Sequence, residues 1–281
     1  MLELLLEPFS FGYMRHAMFA SSIVGGICAL LSVFLLLKRW SLIGDALSHA
    51  VVPGVAGAYA LGLPYSLGAF FTGFLAAAAI LGLGRIPKFK QDAVIGLVFS
   101  SFFAAGLLLI SLKPTAINIS AVIYGNILAI SDADLWQISA ISLFTLIFII
   151  CKWRDFQLLF FDETQAITAG LAVKTLKVFF FALLSAAIVA SLQTVGAILV
   201  ISLMITPGAT AYFLSDRLSR VLIIAAFLGI STCFCGSYLS YFVNLPTGAL
   251  IVALQSLFFA LAFFAAPKYG LLAQGRHQRQ P

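Results

Sequence analysis

The stretch VLIIAAFLGISTCFCGSYLSYFVNLPTGALIVALQSLFFALAFFAAP, residues 221–267, runs for 47 residues without an aspartate, glutamate, lysine or arginine. A helix that crosses the bilayer core needs about 20 apolar residues. This stretch therefore holds two crossings, and Asn244-Leu245-Pro246 near its middle supplies the break. Working outward, the charge-free gaps read as crossings are 22 residues (16–37), 39 (46–84), 20 (93–112), 17 (135–151) and 38 (178–215). The gaps of 39 and 38 each hold a hairpin, broken at Gly62-Leu63-Pro64 and at Gln193-Thr194. The expectation is an all-α, polytopic transmembrane helical bundle of about nine spans, or eight if Gln193-Thr194 does not interrupt its stretch. Residues 1–281 form a single transmembrane domain on this reading.

Composition agrees. The chain is 62% hydrophobic and 9% charged, with a mean hydropathy of +1.11, where soluble domains carry about 25% charged residues. In water it would expose large apolar patches, which excludes a soluble enzyme, a nucleic-acid-binding domain and a disordered chain. With nine spans and the N-terminus outside, 14 of the 16 basic residues fall on one face, and only Arg15 and Lys113 on the other. That is the bias of a cytoplasmic face. It places the C-terminus in the cytoplasm and explains the net charge of +6 without nucleic acid.

The N-terminal segment Met1–Glu7 is acidic where a signal peptide is basic, so the first apolar stretch is expected to stay as a helix. Cys28, Cys151, Cys233 and Cys235 fall in or beside spans and read as small packing residues. Gly25-Gly26, Gly54, Gly57 and Gly73 suit close helix packing, and the 27 phenylalanines read mostly as lipid-facing bulk.

Two stretches break the apolar pattern. In Gly44-Asp45-Ala-Leu-Ser48-His49-Ala-Val-Val-Pro53-Gly54, Asp45 and His49 stand four apart, one helical turn on the same face. Carboxylate plus imidazole is a ligand set for first-row divalent metals. The other reading makes Asp45 the N-cap of the second helix and His49 a hydrogen-bonded interior residue. Spacing alone serves both, and an ionisable residue inside a span favours function. The second stretch lies in 152–177, the longest connection on the basic face. Asp162-Glu163 begins a short helix with acid at its positive end, and Gly170 ends it in a left-handed cap. Such a helix suits docking, although an interfacial helix lying on lipid is the simpler reading without further context.

Five segments, in order, then resemble the permeases of the manganese/iron/zinc ABC-3 group. They are Gly44–Gly54, Asp92-Ala-Val-Ile-Gly96, Tyr124-Gly-Asn126-Ile-Leu, Asp162-Glu163-x-x-Ala166-x-x-x-Gly170, and Thr206-Pro207-Gly-Ala-Thr210-Ala. The resemblance implies a multi-pass permease subunit of an ATP-binding-cassette importer in the bacterial cytoplasmic (inner) membrane. It would move a divalent metal ion into the cytoplasm by alternating access and hold no cofactor of its own. Implied partners are two ATPase subunits that use the ATP, a metal-binding solute-binding protein, membrane lipid, and a second permease copy or paralogue. Asp45 and His49 match the ion site, and Asp162, Glu163, Ala166 and Gly170 match the helix that couples to the ATPases. The wording Ser48–Gly54 resembles the manganese/iron branch, with zinc as the alternative. No G-x-x-x-x-G-K-[ST] phosphate loop and no H-E-x-x-H occurs in the chain. The competing classes are a gradient-driven divalent cation carrier without an ATPase and an intramembrane enzyme.

Overall fold

In the computed structural model, residues 2–84, 86, 88, 90–112, 127 and 130–266 are described. The Tyr124-Gly125-Asn126 segment lies outside them, as do His277 and the basic residues Arg85, Lys113, Lys268, Arg276 and Arg279. Among the described residues every regular element is a helix. In chain order they are α1 (Leu2–Ser10), α2 (Gly12–Leu37), α3 (Ile43–Ala50), α4 (Val52–Leu61), α5 (Tyr65–Leu83), α6 (Gln91–Leu112) and α7 (Asp132–Phe161). There follow α8 (Glu163–Thr168), α9 (Val173–Val195), α10 (Ala197–Leu203), α11 (Thr206–Leu214), α12 (Leu218–Val243) and α13 (Thr247–Ala265).

Eight of these stretches are long and apolar enough to cross a membrane: α2, α5, α6, α7, α9, α10 with α11, α12 and α13. The ninth expected crossing is the pair α3/α4, whose halves are each too short alone. Together they cover residues 43–61, about 28 Å at 1.5 Å per residue, which makes one interrupted crossing.

The breaks follow backbone chemistry. Gly62 closes α4 at φ +68°, and Asn244 closes α12 at φ +54°, the left-handed cap that glycine and asparagine adopt most readily. Gln193-Thr194 does not break its stretch. Both stay in α9, where Thr194 Oγ1 donates back to the Ala190 and Ser191 carbonyls. The break falls at Gly196, whose φ +80°, ψ 164° is open essentially to glycine alone. Residues 152–161 are likewise helical: α7 bends at Lys152 and runs on to Phe161, so only the remainder of 152–177 is a connection around α8.

Spans α2 and α9 form the centre, with 72% of the most apolar window of each buried. The crossing of α2 with α12 is close because Gly25 meets the backbone of Gly229, and α4 meets α5 through Gly54 and Gly68 in the same way. Gly57, by contrast, has nothing within 4 Å of where a Cβ would stand. The phenylalanines are more than lipid-facing bulk. Phe34, Phe156, Phe160 and Phe180 interlock with ring centroids 4.7–6.2 Å apart, all buried. Edge-to-face and tilted pairs of this kind add to area burial. Trp40 caps the cluster against Phe160 and Phe181.

Successive spans alternate in direction, so Lys38, Lys152, Lys174, Lys177 and Arg217 gather at one end. One cavity of about 790 Å³ is lined by Lys38, Gly84, Gln91, Glu163, Lys174 and Lys177 together. At the opposite end His16 lies 3.7 Å from Asp132, joining the starts of α2 and α7.

Candidate functional site

Helix α3 starts at Ile43, with Leu42 in the N-cap position and no side-chain cap bond. Asp45 is therefore inside the first turn and is not the cap. The helix stops at Ala50 because Pro53, in the first turn of α4, has no N–H to extend the ladder. Asp45 and His49 share a face of this eight-residue helix, with Nε2 of His49 3.5 Å from Oδ1 of Asp45. That is too long for a strong hydrogen bond, so neither side chain is satisfied by the other. Two ligands each about 2.1 Å from one ion stand at most about 4.2 Å apart, and the observed separation admits a shared ion.

The side chains of His49 and Asp45 are 26% and 41% exposed in the isolated chain. The imidazole lies edge-on to Phe99 and Phe103 of α6, each 5.4 Å from its centroid, and these two rings stack on one another. Apolar rings fix the imidazole in place without competing for its nitrogens. Sequence spacing exposed Asp45 and His49 but not these two phenylalanines, because α6 reaches α3 only through the fold. Among the described residues no group of three or more histidine, cysteine, aspartate or glutamate side chains converges. The described residues thus offer two such ligands at this place.

A second interrupted span stands behind the first. Gly44 of α3 packs on Met204, where α10 ends before α11 resumes at Thr206-Pro207. Interrupted backbone at membrane depth is tolerated where protein covers it or where it lines a cavity. Its neighbours are polar and paired: Ser202 Oγ donates to Gln255 Oε1 at 2.9 Å, and Gln255 Nε2 donates to Thr232 Oγ1 at 3.3 Å. Thr206 and Thr210 of the sequence motif line this region. Asp92 and Gly96, in contrast, lie on α6 with no role in the Asp45/His49 geometry.

At the basic end, Asp162 Oδ1 accepts from the backbone N–H of Thr164 and Gln165, at 2.8 and 3.1 Å, and so caps α8. Ala166 is fully buried. Gly170 has φ +79°, and the Leu171 N–H returns to the Ala166 carbonyl. Glu163 Oε1 accepts from Lys177 Nζ of α9 at 2.6 Å. The four residues thus shape one short helix, with Asp162 and Gly170 setting its ends, Ala166 its buried side and Glu163 a polar tie.

A bundle of this build, with two interrupted spans in contact and a capped helix at the basic end, is that of a polytopic helical membrane protein. The ABC 3 transport family matches residues 10–266, and the chain belongs to that family. It is 58% identical over 276 residues, 98% of both chains, to a probable iron transport system membrane protein of Haemophilus influenzae. It is 42% identical to a manganese transport system membrane protein of Synechocystis, across 98% of this chain and 90% of the relative. The solved structure of PsaBC from Streptococcus pneumoniae in complex with Fab contains a chain 32% identical to this one. That likeness covers 98% of this chain and 100% of the other, with a TM-score of 0.87. The chain is a multi-pass permease of the bacterial inner membrane and not itself an enzyme.

Proposed function

We propose that this chain carries manganese or iron as a divalent ion through an ATP-binding-cassette importer, with Asp45 and His49 as pathway ligands. The observation that carries the reading is a carboxylate–imidazole pair 3.5 Å apart, on one face of an interrupted span of a family member. Iron and manganese transport relatives at 58% and 42% identity support the ion class. A second permease copy or paralogue, bringing its own pair, would complete the coordination that Asp45 and His49 begin. So sparse a site binds weakly enough to release its cargo. It also gives no first-row selectivity of its own, since the Irving–Williams order favours zinc over manganese and iron at such donors. Selection then falls to the solute-binding protein.

The basic end faces the cytoplasm by the positive-inside rule, which puts the N-terminus outside. Two ATPase subunits dock there, each on the α8 helix of one permease, through Asp162, Glu163, Ala166 and Gly170. ATP binding draws the ATPases together, moves α8, and alternates access to the Asp45/His49 pair. Reconstitution tests this reading. Liposomes holding the permease and its co-expressed ATPase, with the binding protein added, are expected to accumulate manganese or iron only with ATP. Accumulation driven by an ion gradient without the ATPase would identify a carrier instead.

A further inference from the structure

We infer that Lys177 is a positioning residue for transport, tying the coupling helix α8 to the base of the span that packs on the Asp45/His49 helix. The inference rests on α8 being the coupling helix and adds how its movement enters the bundle.

The tie is specific. Lys177 Nζ reaches Glu163 Oε1 at 2.6 Å, with the lysine side chain 20% exposed and the glutamate 40%. A charge-assisted bond this short is among the stronger polar contacts available. One turn along, α8 is also held by Ala166, fully buried in the core. Beside the tie lies the hollow of about 790 Å³, walled by Glu163, Ile167 and Lys177 and by Trp40, Ile80 and Phe181. Beside that hollow, α8 is joined to α9 by a polar tie with open space next to it rather than by continuous apolar packing. A displaced α8 has room to move and draws α9 with it through the pair.

Helix α9 is the element able to pass that movement on. It runs unbroken from Val173 to Val195, and Phe181, Leu184 and Ile188 are buried in the same core as Leu47 and Ala50 of α3. Helices α9 and α3 are in direct contact. Close-packed interiors transmit displacement instead of absorbing it. Lys177 therefore stands where a push on α8 becomes a shift of the helix carrying Asp45 and His49, although it touches neither.

A double-mutant cycle in the reconstituted complex tests this. Lys177→Met, Glu163→Gln and the double variant are compared for metal moved per ATP hydrolysed and for ATPase co-purification. Each single is expected to lower the ratio about tenfold, and the double no further, with the ATPase retained at wild-type stoichiometry and still hydrolysing ATP in Lys177→Met. Lys177→Arg, which keeps the charge, is expected to keep the ratio. A normal ratio in Lys177→Met, losses that multiply in the double variant, or loss of the ATPase from Lys177→Met would each overturn the inference. Failure of the coupling-helix reading shows separately, as normal docking and uptake by Gly170→Pro.

Discussion

Gly44 on α3 lies against Met204 at the end of α10, so close that a Cβ on the glycine would stand 2.8 Å from the Met204 Cβ. Through this contact the two interrupted spans support one another, and the helix bearing Asp45 is seated on the break in the seventh crossing. A side chain at Gly44 has to push Met204 aside. Gly44→Ala is expected to cost about 1–3 kcal/mol by overpacking, read as a lower Tm of the purified permease in detergent. Gly57→Ala, opening onto empty space, is expected to leave the Tm unchanged or raise it slightly, since alanine is the better helix former. Equal effects at the two positions would contradict the contact.

The aromatic cluster under α8 makes a second expectation. Phe160→Ala removes a ring packed on Phe34, Phe156, Phe180 and Trp40 and is expected to cost about 3–5 kcal/mol. Phe144→Ala, on the outer surface of α7 at 60% exposure, is expected to cost much less, because lipid refills the space. Denaturation of the two variants side by side measures the difference.

Charge gaps located the spans because burying an unpaired charge in hydrocarbon is expensive, so spans show as intervals without charge. The same logic misplaced the ends of α7. Asp132 and Asp134 sit at its solvated start, where Asp134 and Ser131 form a reciprocal cap, and its last turns carry Lys152, Arg154 and Asp155 at the basic end. Charges are tolerated there, and the helix continues through them. Polar residues were also a poor guide to the break after α9: Thr194 satisfies itself within the helix, and Gly196 turns the chain. Asp45 and His49 were legible because ligand spacing within one helix is a sequence property. Phe99, Phe103 and Met204 were not, since they reach α3 from distant segments, and neither was the Glu163–Lys177 tie, whose partners stand on different helices.

The capped helix α8 carries a functional expectation. Gly170→Pro removes the N–H that bonds the Ile167 carbonyl and forbids the φ of +79°. Glu163→Arg sets two cations together in place of the pair with Lys177. Both variants are expected to abolish uptake and weaken ATPase co-purification while the permease stays folded in detergent. Normal docking and normal uptake in both would make α8 a passive connector.

The most direct measurement concerns the ion site itself. Leu42, not Asp45, occupies the N-cap of α3, so Asp45→Asn removes a charged oxygen without removing a cap, and His49→Gln keeps a polar side chain beside Phe99 and Phe103. Isotope uptake of manganese or iron by the reconstituted importer, at matched membrane expression, compares these variants with the wild type. Each is expected to stop uptake while ATP hydrolysis by the partner subunits continues. Full transport by the Asp45→Asn, His49→Gln double variant would contradict the metal site, and the pathway would have to be lined by other residues.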